Sequence, residues 1–434
     1  MIPKYGRSSD DVLADLASRT VGDTDWRGGR VFSLVYHAGE AHEALLEQAH
    51  GMYASANLLN PLAFKSLKQL EKEIVQSAGA LFHCSGAVGT VTSGGTESIL
   101  CAVAAYRDRA RRKKPWIRWP ELVVPKTIHP AFDKAAHYFG VKLVKVDVDG
   151  EMRADVRKMA KAIGWRTIGL VASAPQYPHG VIDPIAELGE LAMKHGLPLH
   201  VDACVGGFVL PWLEKLGRQI PKWDFRVPGV TSISADLHKY AYAGKGASLL
   251  LWRSLDDMKF QIFVATDFPG GIYASPTMIG TRPGGPIAAA WAALQSVGED
   301  GYLELARRAA LAADALRAGV QAIPGLKLLG RPDATIVSYT SGLDVYAIAD
   351  RLEARGWSVD RQHRPSSIHL TVTANHAPIV DTYLADLRAA VDEVRKDPSL
   401  AKSGSAPMYG MAAKMPIRRL VASNVRKVIA EMYK

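Results

Sequence analysis

The chain has 434 residues, of which 48% are hydrophobic and 22% are charged, as expected for a globular protein that can bury a large core. Its formal net charge of +10 comes without a nucleic-acid-binding motif, so we predict no nucleic-acid partner. No stretch of about 18 apolar residues argues for a transmembrane helix, and the three cysteines lack metal-ligand spacing, so we expect reduced thiols and no metal.

The order of the predicted elements indicates an α/β fold with a mostly parallel sheet. The first 80 residues predict helices at 9–19, 40–54 and 64–78. Beyond them, short apolar runs alternate with helical patterns up to about residue 255, as in parallel sheets with crossover helices. The predicted strands are 122–124, 142–146, 167–171, 199–201 and 247–251, and the predicted helices are 130–139, 154–163 and 183–195.

The second half of the chain predicts a smaller domain. Residues 266–286 are rich in glycine and proline, and we assign them no regular structure. Helices are predicted at 287–297 and 302–322, the second leading into a small α/β domain at about 325–397. We therefore expect three parts: a helical N-terminal segment (1–80), a large domain that the motifs below identify as cofactor-binding (81–300), and a small C-terminal domain with its linking helix and tail (301–434).

A glycine pair marks the start of a helix in residues 92–98, Thr-Ser-Gly-Gly-Thr-Glu-Ser. The residues that follow are apolar at helical spacing, so Gly94, Gly95 and Thr96 lie at a helix N-terminus. Free backbone N–H groups and the helix dipole make such a place an anion site, and glycines let a phosphate approach the backbone. Alone, the motif is weak because an ordinary capped helix gives the same pattern.

A carboxylate ends the predicted strand 199–201. Asp202 is followed by small residues, beginning with Ala203, that leave room for a flat ring. A carboxylate buried at a strand end is costly unless it has a cationic partner. The pyridinium nitrogen of pyridoxal phosphate is such a partner, and an aspartate there keeps the ring protonated as an electron sink. A capping or metal-binding aspartate is the alternative.

A lysine follows a histidine directly after the β-branched run at 230–233. Lys239 at this strand end suits Schiff-base chemistry with pyridoxal phosphate, provided that desolvation or neighbouring cations lower its pKa. His238 and Lys245 are the neighbours that could lower this pKa or meet a phosphate. Taken alone, a basic solvated turn explains the segment equally well.

The three segments occur in the order used by the large aminotransferase-like (fold type I) pyridoxal phosphate enzymes, which they resemble. More specifically, the chain resembles the sphingosine-1-phosphate lyase family from about residue 31 to residue 412. The segments that carry the resemblance are 92–100, 175–180 (Pro-Gln-Tyr-Pro-His-Gly), 200–208, 231–240, 270–276 and 282–285. It implies a large domain with a mostly parallel sheet and a small C-terminal α/β domain.

The resemblance also assigns roles around the cofactor. The residues implied for its phosphate are Gly94, Gly95, Thr96, His238 and Thr281. Thr281 stands where the family usually has serine, and it can still donate a hydroxyl. His129 would stack on the pyridine ring opposite Ala203. Asp202 would pair with the ring nitrogen, and Lys239 would form the bond to the cofactor.

Substrate contacts are implied in the same way. Tyr36, Asn57, Asn60 and Lys245 match positions that hold or flank the substrate phosphate, and Tyr177 lies near the reacting carbon. Where the family has histidine this chain has Asn60, which can donate a neutral hydrogen bond but cannot carry charge or shuttle a proton. Tyr177, Lys245 and the substrate phosphate itself remain alternatives for the base.

The implied reaction is retro-aldol cleavage of a phosphorylated sphingoid base to phosphoethanolamine and a long-chain aldehyde, in a homodimer with shared active sites. Three alternatives stay open. They are an amino-acid decarboxylase of the same fold, a lyase for a smaller phosphorylated amino alcohol, and a binding protein without catalysis.

The chain start lacks the apolar core of a signal peptide, so we expect a soluble cytoplasmic protein of bacterial type, unlike the membrane-anchored eukaryotic members of the family. Basic residues cluster at 107–114 and 414–434. Such clusters favour a weak contact with an anionic membrane surface. Solvated helix faces are the more common explanation.

Overall fold

The structure of the protein is a computed structural model that describes residues 2–414 and 418–433, without the side chains of residues 412–420. Part of the predicted basic cluster at 414–434 therefore lies outside the described residues.

A seven-stranded sheet occupies the centre of the molecule. Its strands are β1 (Val88–Thr92), β2 (Glu121–Pro125), β3 (Lys142–Val146), β4 (Thr167–Ser173), β5 (Leu199–Asp202), β6 (Val230–Ala235) and β7 (Ser248–Trp252). They lie in the order β1-β7-β6-β5-β4-β2-β3. Strand β7 is antiparallel to both of its neighbours, and the other pairings are parallel. The predicted mostly parallel sheet is confirmed.

Fourteen α-helices are present among the described residues, and those that pack on the large sheet cover both of its faces. They are α1 (Ser9–Arg19), α2 (Glu40–Met52), α3 (Lys65–Leu81), α4 (Gly95–Lys113), α5 (Ala131–Phe139), α6 (Val156–Ala162), α7 (Ile185–Lys194), α8 (Leu210–Lys215), α9 (Leu255–Met258), α10 (Gly284–Gln321), α11 (Val345–Glu353), α12 (Val380–Lys396), α13 (Ala406–Lys414) and α14 (Arg418–Glu431). The predicted helices and strands are all present, with bounds that differ by at most three residues.

The alternation of side chains along β2 separates the two apolar layers. Leu122 and Val124 join a core shared with α4 and α5, whereas Val123 joins the larger core on the opposite face. Strand β2 is buried over its whole length, as are β4, β5 and β7. Burial on both faces explains why these strands are continuous apolar runs rather than alternating ones.

Helix α10 combines the two helices predicted at 287–297 and 302–322. It bends at Gly298, whose φ of 61° and ψ of 178° are not helical. Only glycine adopts a positive φ at this position without strain, so the helix direction changes there. The prediction of two helical stretches is confirmed, and they follow each other directly across the bend.

The segment 266–286 contains a strand that the sequence analysis missed. Strands β8 (Phe263–Ala265) and β9 (Tyr273–Ser275) form an antiparallel hairpin, so the expectation of no regular structure was wrong at β9. With only three residues and many neighbouring glycines and prolines, β9 gives too short a pattern to detect.

A second, four-stranded antiparallel sheet lies in the C-terminal part. Its strands are β10 (Leu326–Leu328), β11 (Ile336–Ser341), β12 (Asp360–Gln362) and β13 (Ser367–Thr371), in the order β10-β11-β13-β12. Helices α11 and α12 contribute to its separate apolar core. The predicted small α/β domain is present.

The N-terminal segment contributes to both cores. Leu67 and Ile74 of α3 belong to the core of the large sheet, whereas Phe32 is buried in the core of the small one. A bridge between Val31 and Ser358 fixes the latter contact. The domain boundaries at residues 80 and 300 stay a prediction. Among the described residues, no helix is long and apolar enough to cross a bilayer.

Candidate active site

The carboxyl ends of β1, β2, β4, β5 and β6 meet at one edge of the large sheet, where they surround a cavity of about 370 Å³. This is where parallel α/β sheets bind their ligands. The predicted residues that line the cavity are Gly94, Gly95, Thr96, His129, Tyr177, Asp202, His238 and Lys239. The structure thus brings together residues that are dispersed over nearly 150 positions of sequence.

The start of α4 forms an anion-binding end of the cavity. Gly94 occupies the N-cap position and supplies no side-chain hydrogen bond, so the first N–H groups of the helix are free for a ligand. A Cβ atom on Gly95 would come within 2.7 Å of both the Asp236 carboxylate and the Cys204 sulfur. Glycine is therefore required where the backbone borders the cavity.

Two polar groups near this end support its use for a phosphate. The buried Nδ1 of His238 has no hydrogen-bond partner among the described residues. Glu97 holds the loop by accepting from the backbone N–H of Ser93 at 2.6 Å and of Met278 at 2.8 Å. The free helix N-terminus, the orphaned histidine nitrogen and the glycine cradle fit the phosphate of pyridoxal phosphate.

Asp202 is held rigidly at the opposite end of the cavity. Its Oδ1 accepts from the backbone N–H of Cys204 at 3.1 Å and from the Ser234 hydroxyl at 3.2 Å. Its Oδ2 accepts no bond from the described residues and is available to a cationic ring nitrogen. Ser234 also contacts Nε2 of His200 at 3.2 Å. Burial lowers the pKa of His200 to about 4, so this histidine is neutral at pH 7.

Lys239 lies against a carboxylate that the sequence analysis did not select. Its Nζ is 3.0 Å from Oδ2 of Asp236. Burial lowers the pKa of Lys239, but the charge of Asp236, its hydrogen bond to the lysine and the charge of Asp202 raise it by more, so the net shift is upward. Two buried carboxylates near the lysine thus outweigh any lowering of its pKa by the neighbouring cations His238 and Lys245, whose roles stay predictions.

Asp236 connects the lysine to the sheet. Burial would raise the pKa of Asp236, but Lys239 and His238 lower it by more, and the Ser248 hydroxyl donates to its Oδ1 at 2.6 Å. The carboxylate therefore stays ionised and holds the lysine ammonium in the cavity. A carboxylate three residues before a predicted cofactor lysine was the signal that could have identified it.

Tyr177 is connected to the small sheet. Its hydroxyl donates to Oδ2 of Asp360 in β12 at 2.5 Å, and its ring lies 4.2 Å from the ring of His369. Burial, followed by the charge of Asp360, raises the pKa of Tyr177 far above its usual value. This side chain is therefore a neutral phenol that faces the cavity. His129 lines the same cavity, and its Nδ1 accepts from the backbone N–H of Ala131 at 3.2 Å.

Lys245 and Tyr36 lie together behind the cofactor lysine. The Lys245 ammonium donates to the carbonyls of Leu34 and of His238, the latter at 3.3 Å, and lies 5.3 Å from the centre of the Tyr36 ring. Burial, followed by the nearby Lys239 charge, lowers the pKa of Lys245 to about 8. No carboxylate among the described residues forms an ion pair with Lys245, so its charge is available to a phosphate.

The remaining predicted residues do not line the cavity within one chain. The side-chain oxygen of Asn57 accepts from the backbone N–H of Arg282 at 3.0 Å, and that of Asn60 accepts from Leu62 at 3.1 Å. Asn57 thus joins its segment to the one around Arg282, Asn60 stabilises its own turn, and Thr281 is exposed. Ala203 is buried directly beside Asp202. The roles implied for these residues stay predictions.

A lysine, an aspartate and a helix N-terminus around one cavity at a sheet edge define a pyridoxal-phosphate-dependent enzyme of the aminotransferase-like fold. The family model of the pyridoxal-dependent decarboxylase conserved domain matches residues 22–340. A glutamate decarboxylase from Lactobacillus brevis shares the fold, with a TM-score of 0.78 at 20% identity over 93% of this chain and 95% of that chain. The predicted fold and cofactor are confirmed.

Within this class, the chain belongs to the sphingosine-1-phosphate lyase family. It is 45% identical to the sphingosine-1-phosphate lyase of Arabidopsis thaliana, with 95% of this chain and 77% of the relative covered. It is 43% identical to the sphingosine-1-phosphate lyase of the rat, with 97% of this chain and 75% of the relative covered. The solved structure of a sphingosine-1-phosphate lyase from Burkholderia pseudomallei superimposes with a TM-score of 0.88 at 38% identity. The superposition covers 96% of this chain and 97% of that chain. The predicted family and the predicted class of enzyme, a pyridoxal-phosphate-dependent lyase, are confirmed.

Proposed function

We propose that the protein cleaves phosphorylated sphingoid bases to phosphoethanolamine and a long-chain aldehyde. The observation that carries this proposal is the combination of the family assignment with a second cation, Lys245, that lies near Lys239 and next to the Tyr36 ring. An amino-acid decarboxylase must align the carboxylate of its substrate and does not require a cation that binds a phosphate distant from the reacting carbon.

The two ends of the cavity would bind different parts of the cofactor. The N-terminus of α4 and His238 would hold its phosphate, Asp202 would pair with the ring nitrogen through the free Oδ2, and Lys239 would form the covalent bond to it. The chemistry that bound pyridoxal phosphate supplies is that of an electron sink beside the bond to be broken.

The substrate phosphate would determine which bond is broken. Lys245 and Tyr36 would bind it, and this remote binding energy would align the Cα–Cβ bond for cleavage. A base must also take the proton of the 3-hydroxyl group. Lys245, whose pKa lies near 8, can hold or release a proton near neutral pH, whereas Tyr177 is held as a phenol. These facts favour the substrate phosphate or Lys245 over Tyr177 as that base.

A second copy of the chain would complete the site. Asn57, Asn60 and Thr281 lie outside the cavity of their own chain, and the nearby hairpin of β8 and β9 exposes apolar side chains such as Phe263 and Ile272. An apolar surface of this kind is typical of an interface. We propose a homodimer in which this region of each chain reaches the cavity of the other, and a cytoplasmic location.

The direct test is to incubate the protein and pyridoxal phosphate with sphingosine 1-phosphate and to measure aldehyde and phosphoethanolamine by mass spectrometry. We expect both products from the unchanged chain, none from Lys239→Ala, and little from Lys245→Ala. Lys222→Ala, which removes an exposed lysine elsewhere, is the matched control and should behave as the unchanged chain. Release of carbon dioxide from amino acids without any aldehyde would instead identify a decarboxylase.

A further inference from the structure

Three tryptophans are exposed at the amino edge of the large sheet, the edge opposite the cofactor cavity. Trp116 is 65% exposed, and Trp119 and Trp165 are each 67% exposed. Tryptophan is on average a strongly buried residue, so a group of three with most of their surface in water requires an explanation. None of them takes part in the site described above.

The pairing of the strands places these side chains at one edge. Trp119 lies two residues before the start of β2, and Trp165 lies two residues before the start of β4. The two strands are neighbours in the sheet, and their first residues, Glu121 and Thr167, pair with each other. The backbone N–H of Glu121 also donates to the carbonyl of Arg166 at 2.9 Å. Trp116 lies in the same turn segment as Trp119, so all three indoles project from adjacent turns.

Unpaired cations accompany the tryptophans. Within the basic cluster 107–114, the arginines at 107, 109 and 111 are paired with Asp108 or Asp257. Arg112, Lys113 and Lys114 form no ion pair with any described residue, and neither does Arg118 in the following turn. The carboxylate of the same edge, Glu121, is already paired with Lys142 and Arg166.

Exposed indoles beside unpaired cations match the chemistry of an anionic bilayer surface. Tryptophan is enriched at membrane–water interfaces, because its ring lies among the headgroups while its N–H stays hydrated. Clusters of lysine and arginine add attraction to anionic lipids, which is screened by salt. Single-stranded nucleic acids are instead stacked on aromatic side chains along a strand face or groove, whereas these indoles stand in turns.

We propose that this surface, the tryptophan edge (Trp116, Trp119 and Trp165 with Arg112, Lys113, Lys114 and Arg118), is a peripheral binding site for anionic phospholipid bilayers. Strands of five to seven residues separate it from the cofactor cavity, a distance of about 20 Å at 3.3 Å per residue. Attachment through this edge leaves the cavity directed toward the water. The proposal is independent of the substrate of the enzyme.

The test is co-sedimentation of the full chain, loaded with pyridoxal phosphate, with vesicles of phosphatidylcholine and with vesicles of equimolar phosphatidylcholine and phosphatidylserine. We expect binding to the mixed vesicles only, weakened by high salt. Changing Arg112, Lys113, Lys114 and Arg118 together to Gln should weaken it at least about tenfold. The triple variant W116A/W119A/W165A should lower it by about tenfold as well, because the indoles provide the interfacial anchoring.

A matched control separates this site from net charge alone. Lys222, Lys327, Lys396 and Lys402 are exposed lysines elsewhere, and changing all four to Gln removes the same charge. We expect this control to bind like the unchanged chain, and circular dichroism should show that all variants are folded. Equal binding by the control and the edge variants, or no binding by the unchanged chain, would overturn the proposal. So would concentration-dependent self-association, or binding of single-stranded RNA without vesicles, that is lost in the tryptophan variant.

Discussion

The cofactor half of the cavity and its substrate-phosphate half are built differently. The cofactor half consists of groups at the carboxyl ends of strands of one sheet or within four residues of them, namely Gly95, Asp202 and Lys239. The substrate half comes from segments outside the sheet, and one of its predicted members, Asn60, faces away from the cavity of its own chain. Groups at the ends of neighbouring parallel strands must converge, whereas loop groups converge only if another segment or chain positions them.

After the complete loss expected for Lys239→Ala, the largest effect is expected in the cofactor half, at Asp202. Asp202→Asn keeps an acceptor for the Cys204 N–H and the Ser234 hydroxyl but removes the negative charge that would face the ring nitrogen. The loss of one charge-assisted hydrogen bond should reduce kcat by about 10- to 100-fold. Steady-state kinetics with sphingosine 1-phosphate measures this change.

Ser234→Ala is the matched control for this prediction, because it removes one support of Asp202 and leaves the charge in place. Its effect on kcat should be much smaller than that of Asp202→Asn. An unchanged kcat in Asp202→Asn would contradict the role of this carboxylate. It would also contradict the view that strand ends of a single chain form the cofactor half.

In the substrate half, the strongest pH effect is expected from Lys245. Its pKa is lowered to about 8, so the free enzyme loses this positive charge as the pH rises through that value. We expect kcat/KM for the phosphorylated substrate to decline above about pH 8, because kcat/KM reports the ionisation of the free enzyme.

Lys245→Arg sharpens this test, because arginine stays charged across the whole range. The decline of kcat/KM at high pH should disappear in this variant even if its absolute activity is lower. A decline that persists unchanged in Lys245→Arg would assign the titration to another group.

The sequence was most informative where chemistry and local pattern coincide. Asp202 and Lys239 were predictable because each polar residue breaks or follows an apolar strand, and a buried charge in that place requires a partner. The parallel sheet was predictable because its strands are short apolar runs separated by helical patterns.

Other features of the site leave no local pattern. Asp360 reaches Tyr177 from the second sheet, 183 positions later in the chain, and nothing in the sequence around it indicates this contact. Asp236 lies in the same motif as Lys239, but its contact with Lys239 depends on the turn geometry after β6. The exposed position of Asn60 also follows from packing and not from its own sequence.

The contact between the two sheets can be tested at Asp360. Asp360→Asn preserves a hydrogen-bond acceptor for Tyr177 but removes the negative charge that raises the pKa of its hydroxyl. The pKa of Tyr177 should therefore fall, and kcat should change only a few-fold. Fluorine NMR of the 3-fluorotyrosine-labelled protein at neutral pH should show a changed chemical shift of the Tyr177 signal, with Tyr177→Phe to assign it.

Ser33→Ala is the control for this contact, because it removes the 3.3 Å bond from Ser33 to Asp360 without changing the charge. The fluorine chemical shift of the Tyr177 signal should remain near its original value in that variant. If Asp360→Asn leaves the fluorotyrosine signal of Tyr177 untouched, the two side chains are not paired in solution.

The smallest effects are expected in the substrate-phosphate half, at Asn60. Asn60→Ala removes the acceptor for the N–H groups of Leu62 and Ala63 and should cost about 1 kcal/mol of unfolding free energy, as measured by urea denaturation. Asn60→Asp keeps that acceptor, so its stability should be unchanged. If a second chain brings Asn60 to the substrate phosphate, the added negative charge should also raise KM a few-fold for sphingosine 1-phosphate. An unchanged KM in Asn60→Asp would mean that this residue only stabilises its turn, and that the substrate half is completed without it.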